Sequence, residues 1–356
     1  MKSSILVLSI IILYGCSSED TSLETKNPEI IENPVDYDAN IQHNIWIYNQ
    51  MLYHYFWYAE MPDSSSLDFT QKPPNFFEAL KSSKDRFSWC EANYNYSRGA
   101  NENSTVSFDS IYHIAGKTIG YAVYDQFQTN ADIRSLAVKF KNAKVKELIL
   151  DLRYNPGGYV STCTELASFI LPSQHLGKLY QQQRFNNKLT AEKSKLRGGL
   201  GVDSIYLYST DWFEKWGLNL NRMIILTTKS TASASESLII GLRPYMNVIT
   251  IGTRTCGKDV GSYTIADNNY KYQLQPITFK YYNANNESTP TTGIVPDIYV
   301  EDDLDHQRGD TNEALLKAAI EYLTGEIQMG AVKDRSVSQP KMKEVGRSSI
   351  EIKNNL

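Results

Sequence analysis

Cysteine and histidine are both scarce in this chain, with four and five among 356 residues. Three of the cysteines, Cys90, Cys163 and Cys256, lie far apart in the body of the sequence, and an odd count at wide spacing excludes a disulfide framework. No CxxC pair and no histidine-rich cluster occurs, so no zinc site is expected. An excess of basic charge is also missing. Lys and Arg total 36 against 40 Asp and Glu, for a net charge of −4, and no basic patch stands out to bind nucleic acid. Long apolar runs are absent too. The stretch Ile5 to Leu13, interrupted by Ser9, is too short to cross a bilayer as a stable helix. What is plentiful is tyrosine: 24 residues, most of the 12% aromatic content, which suits either a packed core or a peptide-binding surface.

The first residues read as a leader rather than as fold. Met1-Lys2 is basic, the apolar stretch follows, and Leu13-Tyr14-Gly15-Cys16 resembles a bacterial lipobox. Residues 1–15 are therefore expected to be a signal peptide and Cys16 the site of lipidation, anchoring the protein to a membrane of the cell envelope. Ser17-Ser18, with no aspartate directly after Cys16, favours the outer membrane. Residues 16–40 are polar and predict a flexible tether.

Residues 41–97 predict a small helical subdomain. Ile41 to Ala59 predicts a helix rich in large aromatics that packs on the main domain, and Pro73-Pro74 opens a second short one. From 105 to 325 the pattern changes. Val106–Ile114 and Ile119–Phe127 predict a hairpin, Ile133–Asn142 a helix, and Glu147–Leu152 a buried strand ending in the sharp turn Asn155-Pro156-Gly157-Gly158. A helix over Thr162–Leu171 completes a strand–turn–helix unit that recurs over Arg222–Arg243. Such alternation predicts an α/β core with a partly parallel sheet. Tyr270 to Tyr282 predicts a hairpin around Pro276, and Asn312 to Leu323 a C-terminal helix. Residues 326–356 are a polar tail.

Two positions carry the chemistry. Ser233 lies in Thr231-Ala232-Ser233-Ala234-Ser235-Glu236, just after the apolar run Met223–Leu226, and Lys258 follows 25 residues later, after Val248–Ile251. The serine motif on its own could be a helix cap, with Glu236 as the third helical residue of a capping box. That reading leaves unexplained a run of small residues that would let a substrate backbone approach. A serine hydroxyl needs a base to become a nucleophile. Lysine serves only when uncharged, so its usual pKa of about 10.4 must fall, as it does on burial. No histidine lies in the Ser233 motif, which weakens a Ser-His-Asp scheme. Asp259, the neighbour of Lys258, is expected to point away from it. Ala234, at the helix N-terminus, and the Gly157-Gly158 turn offer backbone N–H groups for an oxyanion.

Three motifs in order, Leu148–Gly158, Ser230–Glu236 and Gly257-Lys258, with the later Gly293-Ile294-Val295-Pro296-Asp297, resemble the tail-specific or C-terminal processing peptidases of the S41 serine peptidase family. The resemblance covers roughly residues 105–325. It implies a ClpP/crotonase-like α/β peptidase core, Ser233 as nucleophile, Lys258 as general base, and Ala234 with Gly157 or Gly158 as oxyanion donors, with no metal or other cofactor. The expected function is cleavage of unfolded or extended polypeptide in the cell envelope. Two departures stand out. Where many relatives carry a lysine-orienting glutamine four residues after the lysine, this chain has Ser262, and where they insert a PDZ domain only about ten residues, Arg98 to Ser107, are present. A catalytically lapsed lipoprotein binding a peptide, hydrophobic or glycan ligand is the competing expectation. An esterase or amidase would use the same residues.

Overall fold

The computed structural model describes residues 37–92, 105–128, 131–196, 202–267 and 272–327. Cys16, the leader, most of the tether and nearly all of the tail lie outside them.

Two helices, α1 (Tyr37–His54) and α2 (Pro73–Ala79), and a short strand β1 (Trp89–Ala92) precede the core. The core then runs β2 (Val106–Ile114), β3 (Lys117–Tyr124), α3 (Ala131–Asn142), β4 (Glu147–Asp151), α4 (Val160–Ile170), β5 (Leu179–Phe185), α5 (Asn187–Leu196), β6 (Val202–Tyr206), α6 (Asp211–Trp216), β7 (Arg222–Thr227), α7 (Ala234–Leu242) and β8 (Asn247–Gly252). It ends with β9 (Val260–Ser262), β10 (Ile265–Ala266), β11 (Tyr272–Gln275), β12 (Ile277–Asn283), β13 (Ile298–Tyr299) and α8 (Ala314–Thr324).

The main sheet has the order β13-β8-β7-β4-β3-β2, parallel except for the antiparallel edge strand β2. Every residue of β4 is buried, as expected of a parallel strand covered on both faces. Successive side chains point to opposite faces. Leu148, Leu150 and Ile225 accordingly pack under Leu166, Phe169 and Leu238 of α4 and α7, while Ile149, Ile224 and Ile249 pack under Leu315, Leu316 and Ala319 of α8. A mixed α/β fold with a small helical N-terminal region is what the sequence predicts.

The hairpin around Pro276 is not formed. β11 pairs with β1 and β10 in a three-stranded sheet, whereas β12 pairs with β5 and β9 in the four-stranded sheet β6-β5-β12-β9. Proline has no N–H to carry a ladder onward, and the chain crosses from one sheet to the next at that residue.

The aromatic helix packs against the core, as expected, but begins and ends earlier. Its first turn takes in residues 37–40 of the predicted tether, and it stops at His54 because the next two residues are drawn elsewhere. The buried Tyr55 donates its hydroxyl to Asp85 Oδ2 at 2.8 Å, and the Phe56 N–H donates to Ile277 O at 2.8 Å. Asn186 donates to the carbonyls of Tyr53 and Tyr55, both at 2.9 Å, and Lys188 to that of Leu52 at 2.8 Å, so the α1 C-terminus is capped by the main domain. Ile47, Met51, Phe76, Phe77 and Leu80 pack on Val260, Leu274 and Ile277. Cys90, Cys163 and Cys256 are free thiols.

Candidate active site

The C-terminal ends of β4 and β7 are neighbours in the sheet, which sets the glycine turn Asn155–Gly158 beside the turn Thr228–Ser233. The two are bonded repeatedly. The Thr231 hydroxyl donates to Leu152 O at 2.7 Å, the Ala232 N–H to Asn155 O at 3.1 Å and the Ser235 hydroxyl to Asn155 O at 3.0 Å. Ser233 stands at the start of α7, buried, with φ 60° and ψ −113°. A positive φ in a non-glycine residue is strained and marks a backbone held in place by its surroundings.

Gly157 and Gly158 have φ of 108° and 143°. A Cβ on Gly157 would stand 2.9 Å from the Ala234 nitrogen and 2.9 Å from Ser233 Cβ, and one on Gly158 would stand 2.1 Å from Phe127 O. Only glycine fits either place. The Gly157 N–H is donated to Asn155 Oδ1 at 2.8 Å. Among the described residues, the N–H groups of Gly158 and Ala234 have no acceptor in the protein.

Lys258 enters on the loop after β8. Its side chain is buried, and Nζ lies 4.9 Å from the centroid of the Phe87 ring. The loop is fixed from several sides. The Cys256 N–H donates to Thr231 O at 3.0 Å, the Tyr281 hydroxyl to Lys258 O at 3.0 Å, and the Ile294 N–H to the Thr255 hydroxyl at 2.7 Å. Asp297, which closes the Gly293–Asp297 motif, accepts from the Thr250 N–H and hydroxyl at 2.8 and 2.9 Å and so braces β8. Asp259 pairs with Lys280 of β12 at 2.7 Å.

Glu236 holds the two halves together. Fully buried, its carboxylate accepts the Ser233 N–H at 3.0 Å and the Lys258 N–H at 2.8 Å on one oxygen, and the Thr255 hydroxyl at 2.5 Å and the Gly257 N–H at 2.7 Å on the other. Burial pushes its pKa up, against the pull of these four donors. A capping residue explains only the first bond. The other three come from the lysine loop, and no local pattern announces them. Ser262 is buried in β9 opposite Ile277, and among the described residues its hydroxyl forms no hydrogen bond with Lys258. Among the described residues no histidine contacts Ser233.

Behind the glycine turn, Arg153 is wholly buried against Asp151 at 2.7 Å, Glu313 at 2.8 Å and Asp302 at 3.0 Å, tying the turn to α8. A cleft of about 550 Å³ lined by Arg243, Met246, Arg254, Ile294 and Asp297 lies beyond the Lys258 loop and includes neither Ser233 nor Lys258.

A family model described as peptidase family S41 matches residues 118–300, and one described as the peptidase S41 N-terminal domain matches residues 42–89. The carboxyl-terminal-processing protease of Synechocystis sp. is 25% identical over 233 residues, covering 64% of this chain and 48% of that protein. The carboxy-terminal-processing protease of Bartonella bacilliformis is 30% identical over 200 residues, covering 54% of this chain and 41% of that one. The chain therefore spans less than half the length of these curated relatives. Among solved structures, a Bacteroides fragilis chain described as an S41 protease superposes with a TM-score of 0.69 at 21% identity, over 85% of this chain and 100% of that one. A lipoprotein from Streptococcus agalactiae does so with a TM-score of 0.55 at 14% identity, over 85% and 100%. Both are likenesses of fold.

Proposed function

Because this chain belongs to peptidase family S41, we propose that it is a serine endopeptidase of the cell envelope, with Ser233 as nucleophile and Lys258 as general base. Its substrates are unfolded or extended polypeptide segments. The observation that carries the reading is the Glu236 carboxylate, which binds the backbone N–H groups of Ser233 and Lys258 at once and so fixes their separation. A local helix cap has no need of the second bond.

In this scheme Ser233 Oγ attacks the scissile carbonyl carbon while Lys258 Nζ takes the hydroxyl proton. The oxyanion receives the N–H groups of Gly158 and Ala234, which have no acceptor within the described protein. Collapse of the intermediate breaks the C–N bond, and Lys258 returns its proton to the leaving amine. Water, deprotonated by the same lysine, then attacks the acyl-enzyme ester and frees Ser233. Thirteen residues separate β1 from β2, too few for a domain between them, so substrate reaches the site without an inserted peptide-binding module. The lipobox-like Leu13–Cys16 supports anchoring through a lipid on Cys16.

Digestion of casein by the wild type, beside Ser233→Ala and Lys258→Ala, tests the mechanism. Cleavage by the wild type alone is expected. Turnover retained in Ser233→Ala would overturn it. Absence of cleavage together with absence of a Ser233 adduct from a fluorophosphonate probe would favour a ligand-binding role.

A further inference from the structure

All but two of the arginines among the described residues are engaged by a partner. Arg134 pairs with Glu165, Arg153 with Asp151, Arg222 with Glu147 and Arg308 with Asp125. Arg184 donates to Gln182 Oε1 at 3.2 Å, and Arg86 to Gly257 O at 2.6 Å and Thr291 O at 3.2 Å. The exceptions are Arg243 and Arg254, which have no ion pair, side-chain hydrogen bond or aromatic contact among the described residues. Both are exposed, and both line the cleft of about 550 Å³ beyond the Lys258 loop. Arg243 follows α7, where a cation suits the C-terminal end of the helix dipole. Arg254 has no such reason for its charge. The cleft itself is firmly made. Residues 292–295, which line it, are held to the lysine loop: the Thr255 N–H donates to Ile294 O at 3.1 Å, and the Ile294 N–H to the Thr255 hydroxyl at 2.7 Å. A Cβ on Gly293 would stand 3.1 Å from Arg254 Cγ, so the stem of Arg254 lies along this segment. The one carboxylate of the described lining, Asp297, accepts from Thr250 and pairs with neither guanidinium.

We infer that this cleft is a substrate subsite, taking one aspartate or glutamate side chain, flanked by apolar residues, on an extended polypeptide. The inference rests on the reading of the chain as an endopeptidase. A guanidinium offers a fork of N–H donors that matches a carboxylate, and here two such forks are unspent. The charge of the lining sets how much anion it takes. Arg243 and Arg254 against Asp297 leave one positive charge in excess, which one carboxylate cancels and a phosphate dianion overshoots. The apolar lining sets what accompanies the charge. The buried Met246, Val248 and Ile294 and the exposed Val295 suit the neighbouring side chains of a peptide better than a free ion, and the volume is usual for a ligand pocket. An endopeptidase works within a chain, where side-chain acids recur and the terminal carboxylate is remote, so the acid is assigned to a side chain. Residues 292–295 are bonded to Thr255, and Thr255 to Glu236, so the cleft keeps a fixed position relative to the Lys258 loop. A peptide anchored there is held at a set distance from the bond to be cut.

The test is titration calorimetry of the whole Ser233→Ala protein at low ionic strength with three peptides. The first is Leu-Val-Glu-Val-Leu, acetylated and amidated so that its side chain is the only carboxylate. The second is its glutamine twin with the same caps. The third is that twin with a free terminal carboxylate. The glutamate peptide should bind about three- to tenfold more tightly than the capped twin, the range of two exposed ion pairs, and added salt should narrow the gap. Arg243→Gln and Arg254→Gln should each narrow it, and the two together should close it while leaving the capped twin's affinity unchanged. Both arginines are exposed, so these variants should keep the wild-type Tm; should the double variant not fold, a gap unmoved in both single variants overturns the inference. Equal behaviour of the glutamate and capped glutamine peptides, whether both bind or neither does, overturns it, as does a gap that persists in the double variant. A free terminal carboxylate that binds as tightly as the glutamate peptide overturns the assignment to a side chain. Binding needs no turnover, so casein cleavage retained in Ser233→Ala, which would sink the peptidase mechanism, is separable from failure of the subsite.

Discussion

Replacing Glu236 by glutamine leaves one acceptor oxygen where there are now two. Each carboxylate oxygen serves two donors: the Ser233 and Lys258 N–H groups on one side, the Thr255 hydroxyl and Gly257 N–H on the other. If the new NH₂ faces the first side, two buried backbone N–H groups confront a donor. If it faces the second, Gly257 is orphaned and Thr255 must turn a hydroxyl that already accepts from Ile294. One or two unsatisfied buried donors, at about 1–3 kcal/mol each, give a loss of roughly 2–4 kcal/mol. For a fold of this size that lowers Tm by about 5–10 °C. The same repulsion parts the nucleophile turn from the lysine loop, and a misplacement near 1 Å costs on the order of 100-fold in kcat. Calorimetry and casein kinetics on Glu236→Gln read both quantities. A variant with wild-type Tm and wild-type kcat would refute the argument that this carboxylate sets the geometry.

Ser233 holds φ 60°, a conformation natural only to glycine, so Ser233→Gly should melt about 2–4 °C above the equally inactive Ser233→Ala; equal melting would mean the turn stores no strain. Arg153→Met strands the buried carboxylates of Asp151 and Glu313, and urea unfolding should register a loss of about 3–5 kcal/mol at neutral pH, partly recovered in acid as those groups protonate. His54 is held neutral by burial, its pKa lowered from 6.5 to about 4. A depressed base is stabilising above pH 6.5, and that stability drains away as the pH falls towards 4, by up to about 3 kcal/mol. His54→Gln should flatten that slope, and an unchanged slope would refute it.

The α/β alternation and the three motifs were legible because each is written in neighbouring residues: a buried strand, a glycine turn, a helix of small residues. That the Gly157 N–H is taken up inside the turn was not, because the side chain of Asn155 accepts it. The Pro276 hairpin misled for a related reason. Two strands flanking a turn residue announce a reversal, but which sheet each strand joins depends on β1 and β5, roughly 90 residues or more away in sequence. Residues 172–216, which supply β5, α5, β6 and α6, carried no reading at all, their apolar positions being few and irregular. Glu236 was visible only as a cap. Its bonds to the lysine loop, and the reach of Arg86 and Phe87 to the same loop, join points 19 to 22 and 171 residues apart, beyond any periodic signal.

The grip of Arg86 on Gly257 also dictates an order of assembly. During synthesis the helical subdomain emerges first, yet the apolar residues it covers, Val260, Leu274 and Ile277, are among the last of the fold to appear. Until they do, the aromatic face of α1 has nothing native to bury against, and Gly257, the residue before Lys258, lacks the Arg86 donor. On the proposed reading, a chain still being made carries its nucleophile without the partner lysine. On that reading proteolytic competence would arrive in one late step, when the two ends of the fold close on each other, and a nascent chain would pose little threat to its own unfolded length.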